Sequence, residues 1–146
     1  SLTGNQLCPP YPSCVEDYVG LQDICSCEDI VDLWDKCYPI ESTFELELSN
    51  SGLTGSIPSQ IGNLINLTHL YLKDNQLSSS IPPQIGNLIN LTELELSNNQ
   101  LTGIIPDEIC NQGDSSPGLT GNRFCSPYPS CVEDYVGEQD TSYCGD

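Results

Sequence analysis

Basic residues are nearly missing. The chain of 146 residues holds 3 Lys and Arg against 21 Asp and Glu, a formal charge of -18. A nucleic-acid partner needs cationic side chains to displace counterions from phosphate, and an anionic membrane surface needs them too. Both classes of partner are therefore excluded by charge. No apolar run approaches the roughly 18 residues needed to span a bilayer, which excludes membrane insertion. Met is absent, Ala is absent, and hydrophobic residues make up only 37%. Without two of the strongest helix formers a helical bundle is a poor expectation. The first residue is Ser1 rather than Met, which reads as a mature or excised product.

What is abundant is cysteine: there are nine, together with 12 Gly and 11 Pro. That density is the mark of a disulfide framework built in an oxidising compartment, here an extracellular one. Zinc is the competing use of cysteine. Cys25-Ser-Cys27 has the wrong spacing for a knuckle and the single histidine, His69, lies far away, so no metal site and no cofactor are expected. The acidic pairs Glu16-Asp17, Glu28-Asp29 and Glu133-Asp134 lack the alternating pattern of a calcium loop and read as solvated surface.

The strongest signal is repetition with a period of 24 residues. Leu46, Leu70 and Leu94 are in phase, as are Leu48, Leu72 and Leu96, then Leu53, Leu77 and Leu101. Ile57, Ile81 and Ile105 follow, then Ile61, Ile85 and Ile109; Asn75 and Asn99 share one polar phase. LxxLxL puts alternate apolar residues on one side of a short strand. The Asn that follows can bond open backbone groups of its own coil and the next, and Ile-Pro ends the turn. Six or seven buried Leu and Ile side chains contribute about 1.5–3 kcal/mol each, while ordering the backbone costs about 1–2 kcal/mol per residue. A coil is therefore stable only when stacked, and three are the usual minimum.

The pattern NxLTGSIPxxIGNLxNLTxLxLxxN resembles the plant-type extracellular leucine-rich repeat of receptor ectodomains, polygalacturonase-inhibiting proteins and secreted microbial proteins. Its departures are Ser51 for the ladder Asn, Thr43 for the leading Leu, and Ser79 for the Gly of LTGxIP. The resemblance implies an α/β-type, right-handed solenoid with disulfide caps. The expected divisions are a cap-like cysteine module over residues 1–27, an N-terminal cap helix over 28–42, three repeats over 43–112, and a C-terminal cysteine cap over 113–146. Within the cap helix Ile30, Val31, Leu33 and Trp34 stand at near-helical spacing, with Trp34 as a core plug.

Residues 2–23, LTGNQLCPPYPSCVEDYVGLQD, recur as residues 119–140, LTGNRFCSPYPSCVEDYVGEQD. The matching cysteines suggest the pairs Cys110–Cys125, Cys131–Cys144, Cys14–Cys27 and Cys25–Cys37, leaving Cys8 for a bond between chains. The duplication points to one unit of a tandem or head-to-tail array, with self as partner. A free buried Cys8 beside an accidental duplication is the alternative. Tyr11 and Tyr128, in Pro-rich stretches, either stack on a sugar or subunit or pack within the cap.

Outward strand positions form three rows: Glu45, His69, Glu93; Glu47, Tyr71, Glu95; and Ser49, Lys73, Ser97. Two readings stand side by side. The middle repeat compensates its acidic neighbours, or the face binds a basic or hydroxyl-rich partner, a protein or glycan. Glu45 and Glu93, about 10 Å apart across one strand, fall in the range of an inverting glycosidase pair. Carboxylates crowd the whole chain, however, and neither an activated thiol beside His69 nor a glycine-rich phosphate loop accompanies them, so no enzyme is expected. Asn66-Leu67-Thr68 and Asn90-Leu91-Thr92 are glycosylation sequons that also belong to the repeat itself. The functional expectation is a non-catalytic structural or adhesive array. A ligand-recognition module is the alternative, and ice binding through an aligned Thr54, Ser78 and Thr102 is a third reading.

Overall fold

A computed structural model describes residues 30–145. Within them the repeat builds a solenoid. Strands β3 (Glu45–Glu47), β5 (His69–Tyr71) and β7 (Glu93–Glu95) form one parallel sheet in the order β3-β5-β7, and β4 (Thr54–Ser56), β6 (Gln76–Ser79), β8 (Gln100–Ile104) and β9 (Arg123–Cys125) form a second. Ahead of both lies an antiparallel hairpin, β1 (Ile30–Leu33) with β2 (Lys36–Pro39). The opposite side of each coil is a 3-10 turn, at Ser59–Asn63, Pro83–Asn87 and Asp107–Cys110. Each turn starts after a proline (Pro58, Pro82 or Pro106) whose fixed φ sets the chain extended before it winds.

The core is the stack expected from the period. Leu46, Leu70 and Leu94 are buried together, as are Leu72 and Leu96, Leu77 and Leu101, and the Ile57 and Ile61 series. Leu48 and Leu53 of the first coil are only partly covered. On the 3-10 side the coils touch through glycine. A Cβ on Gly62 would meet Gln84 O at 2.6 Å, and one on Gly86 would meet Glu108 O at 2.7 Å. The repeated Ile-Gly-Asn is therefore a close-packing requirement between coils.

The asparagine ladder is present and points backwards. Asn75 Nδ2 donates to Leu72 O and, in the preceding coil, to Leu48 O, while its Oδ1 accepts from Ser51 N and Leu53 N. Asn99 repeats this with Leu96 O, Leu72 O and Leu77 N. Sequence reasoning assigned the amide to its own coil and the following one; its partners are its own and the preceding one.

The expected cap helix over residues 28–42 is not what residues 30–39 form. They make the β1–β2 hairpin, with Trp34 and Asp35 both at positive φ (48° and 63°) in the turn. Val31 and Leu33 point into the core at strand spacing. An apolar run this short satisfies either period, and Trp in a left-handed turn position carries no hairpin signal.

The C-terminal region opens as a fourth, partial coil. Gly118 bridges Glu95 in parallel, Leu119 and Phe124 are fully buried, and Asn122 is a third ladder rung, bonded to Leu119 O, Leu96 O and Leu101 N. Val132 and Val136 then close the core. The disulfides are Cys110–Cys131 and Cys125–Cys144, not the expected Cys110–Cys125 and Cys131–Cys144. Strand register explains the correction. Cys125 pairs with Ile104, before the Ile105-Pro106 corner, whereas Cys110 lies beyond that corner at the end of a 3-10 turn. Cys37 is disulfide-bonded; Cys8, Cys14, Cys25 and Cys27 lie outside the described residues, as does the proposed 1–27 module.

Candidate functional site

The three-stranded sheet presents the rows read from the sequence. Glu45 is in register with His69 and His69 with Glu93; Glu47 is in register with Tyr71 and Tyr71 with Glu95. Backbone bonds Asn50 N to Lys73 O and Asp74 N to Ser97 O carry the stacking on through the third row. The alternation that buries Leu46, Leu70 and Leu94 turns the first two rows outward. The third row does not follow as expected: Lys73 is exposed, but Ser97 is buried and the Ser49 hydroxyl is buried without a hydrogen-bond partner among the described residues, because the strands end before these positions.

Polar contacts organise the face. Tyr71 Oη donates to Glu93 Oε2 at 2.5 Å, a diagonal link between two rows. That bond to a carboxylate, with lesser help from desolvation and from the charges of Glu93, Glu45 and Glu47, pushes the phenol up to about 12. Tyr71 is therefore a neutral donor at and well above neutral pH. The His69 and Tyr71 rings lie 5.9 Å apart, tilted by 42°. Thr68 Oγ1 sits 2.8 Å from His69 Nδ1 and donates to Phe44 O at 3.0 Å. Glu47 Oε1 accepts from Ser49 N at 2.9 Å, and Ser97 Oγ reaches Glu95 Oε2 at 3.4 Å.

The face has a built border toward the C-terminus. Asp114 Oδ2 accepts from Leu94 N at 2.9 Å, so a side-chain carboxylate occupies the edge of β7 where a further strand would bond. Glu95 lies over Gly118, where an added Cβ would collide with its carboxylate. The second sheet is closed too. Glu138 O accepts from Gly121 N, Asp140 N donates to Asn122 O, and Gln139 bonds Phe124 N, Leu119 O and Val136 O as a terminal rung.

Sequence reasoning missed Thr68, Asp114, Gly118 and Gln139. Thr68 was visible only as part of a sequon, and the other three act through contacts that close on residues about twenty positions away.

In the second sheet Thr54 is in register with Gln76, Ser78 with Gln100 and Thr102 with Arg123, so the Thr54, Ser78, Thr102 row is not a flat hydroxyl array. Tyr128 packs within the cap, with Oη near Phe124 O at 3.4 Å. Asn66 Nδ2 donates to Ile40 O and is half-buried; Asn90 Nδ2 donates to Ile65 O and is exposed. Among the described residues no group of three or more His, Cys, Asp or Glu could hold a metal ion, and no helix is long and apolar enough to cross a membrane.

Family models match in two places: a two-copy model described as Leucine Rich repeats over residues 65–111, and a Leucine Rich Repeat model over residues 42–64. No curated protein matches the chain significantly. Among solved structures, the PEPR1–AtPEP1 complex is 41% identical with a TM-score of 0.59, over 62% of this chain and 13% of that one. The plant peptide hormone receptor RGFR1 in complex with RGF2 is 31% identical with a TM-score of 0.57, over 60% of this chain and 14% of that one. The BIR3–SERK2 complex from Arabidopsis thaliana is 36% identical with a TM-score of 0.60, over 65% of this chain and 54% of that one. The chain thus spans only a small part of the first two receptors and about half of the third. Its repeats, parallel strand sheets and disulfide cap place it among the leucine-rich-repeat proteins, with repeats of the plant-receptor type.

Proposed function

We propose that this chain is a non-catalytic extracellular protein-recognition module whose β3-β5-β7 face takes a cationic segment of a protein partner. One observation carries this reading. Four carboxylates, Glu45, Glu47, Glu93 and Glu95, flank the central strand in register, with Lys73 as the cation among them. Complementary charge supplies steering and register at such a surface. The similar receptor structures with peptide or co-receptor partners support a protein-interaction role, and the disulfides support an extracellular setting. A glycan ligand, with the sequons Asn66 and Asn90 carrying sugars of their own, is the competing outcome.

A chain of charge -18 attracts cations everywhere, so the test needs a charge-matched control. Binding of a labelled Gly-Arg-Gly-Gly-Arg-Gly peptide is measured by anisotropy for wild type, for the double variant Glu45→Gln, Glu93→Gln, and for Asp107→Asn, Glu108→Gln on the 3-10 side. The reading expects loss with the first pair and retention with the second. Equal loss from both pairs would reduce the face to bulk acidity.

A second reading, a head-to-tail array, is favoured by the duplication of residues 2–23 as 119–140. The Glu138–Asp140 segment covers the strand edge at the C-terminal end, so units would join as closed beads rather than as one continuous stack. Electron microscopy of the purified chain tests this, and monodisperse monomers with Cys8 bonded inside its own chain would remove it.

A further inference from the structure

We infer that His69 is held as the Nδ1–H tautomer and presents Nε2 as an acceptor for an arginine side chain, which makes the face release a cationic partner when that nitrogen is protonated. The inference rests on the recognition reading above and adds its regulation.

The Thr68 hydroxyl has one hydrogen and donates it to Phe44 O at 3.0 Å. Thr92, one coil on, makes the same bond to Thr68 O at 3.0 Å with no imidazole beside it, so the bond belongs to the repeat rather than to the histidine. The 2.8 Å contact between Thr68 Oγ1 and His69 Nδ1 then uses the hydroxyl lone pair, and Nδ1 must be the donor. The remaining nitrogen, Nε2, carries the free lone pair.

The charged and titratable groups around the ring are Glu45 and Glu47 on β3, Tyr71 on its own strand with Lys73 just beyond that strand's end, and Glu93 and Glu95 on β7. Glu45 and Glu93 lie on either side of it, each one strand spacing away at about 4.8 Å. A guanidinium has N–H donors enough to meet Nε2 and a flanking carboxylate together. Protonation of Nε2 removes the acceptor and sets a cation in the middle of the row. Tyr71, with its phenol near 12, stays neutral throughout. Imidazole is the side chain whose charge ordinarily changes across mildly acid pH.

His69 is the single histidine of the chain, so its ring nitrogens give one unambiguous set of signals in a long-range proton–nitrogen NMR spectrum. The expected result for the neutral ring is a protonated Nδ1 and a bare Nε2, with Thr68→Val losing that bias. An Nε2–H tautomer in the wild type would overturn the inference. The same arginine peptide is then titrated at pH 7.5 and 5.5 at constant ionic strength. Binding should weaken by roughly threefold or more at the lower pH, and the ratio should collapse toward one in His69→Gln. Binding that is equal at both pH values overturns the switch alone. Absence of binding at pH 7.5 overturns the recognition reading, and the switch with it, while the NMR result separately decides the tautomer.

Discussion

Asn75 and Asn99 share an acceptor: both side-chain amides donate to Leu72 O, at 2.9 and 3.0 Å. One carbonyl between two coils is thus saturated from both sides, and each coil's bend is fixed by its neighbour. Asn99 also holds Leu96 O, Ser97 O and Leu77 N inside the core. Replacing it by Ala strands several buried backbone groups, each costing about 1–3 kcal/mol when unpaired. Asn99→Ala is expected to lose about 3–5 kcal/mol after partial relaxation, read as a drop in the urea midpoint. A loss below about 1 kcal/mol would mean that water replaces the rung.

Ser79 occupies a glycine's conformation. Its φ is 64°, against 76° for Gly55 and 79° for Gly103 at the same place in the neighbouring coils. A side chain in the left-handed region costs roughly 1 kcal/mol. Ser79 is exposed, so little packing offsets that strain. Ser79→Gly is expected to stabilise the solenoid by a few tenths to about 1 kcal/mol, since the unfolded chain gains freedom in partial opposition. The reverse change, Gly103→Ser, should destabilise by a similar amount in the same urea titration.

The repeat was legible because 24-residue spacing and strand alternation are properties of single positions. Leu70, Leu94, Asn75 and Asn99 behave as their phase demands, and the outward row Glu45, His69, Glu93 follows from the same alternation. The N-terminal hairpin was not legible. Val31 and Leu33 are too few to separate a period of 2 from one of 3.6, and tertiary burial decides. The cap pairing was also hidden, because Cys110 and Cys125 differ in which side of the coil they occupy, and sequence distance does not encode side. Thr68 reads in the sequence as a glycosylation residue, whereas in the fold its hydroxyl bonds Phe44 O and lies 2.8 Å from His69 Nδ1.

Tyr71 and Glu93 give the face a measurable signature at high pH. The phenol is raised from 10.0 to about 12 because the protonated form donates to Glu93. A group raised on folding adds stability that is fully present below its unfolded value and is lost as pH climbs through its folded one. The contribution of this pair should therefore be constant up to about pH 10 and should vanish between pH 10 and about 12. The difference in phenolate absorbance between wild type and Tyr71→Phe should report that late ionisation. In Glu93→Gln the same phenol should ionise earlier. An unchanged midpoint in Glu93→Gln would show that the hydrogen bond does not form in solution.

The C-terminal cap stabilises the third coil through covalent bonds that cross each other in sequence. Cys110–Cys131 and Cys125–Cys144 close loops with separations of 21 and 19 residues. By loop entropy each contributes about 3 kcal/mol. Because Phe124, Val132 and Val136 seal the core between them, loosening the cap also exposes Leu101 and Ile109 beneath. The double variant Cys110→Ser, Cys131→Ser should therefore lower the unfolding midpoint markedly and raise protease sensitivity first around residues 126–145. The comparable pair Cys125→Ser, Cys144→Ser frees the tail alone and should cost less cooperativity. Peptide mapping under non-reducing conditions gives the direct check. A Cys110–Cys125 peptide would contradict the strand register that places those two residues on different sides of the coil.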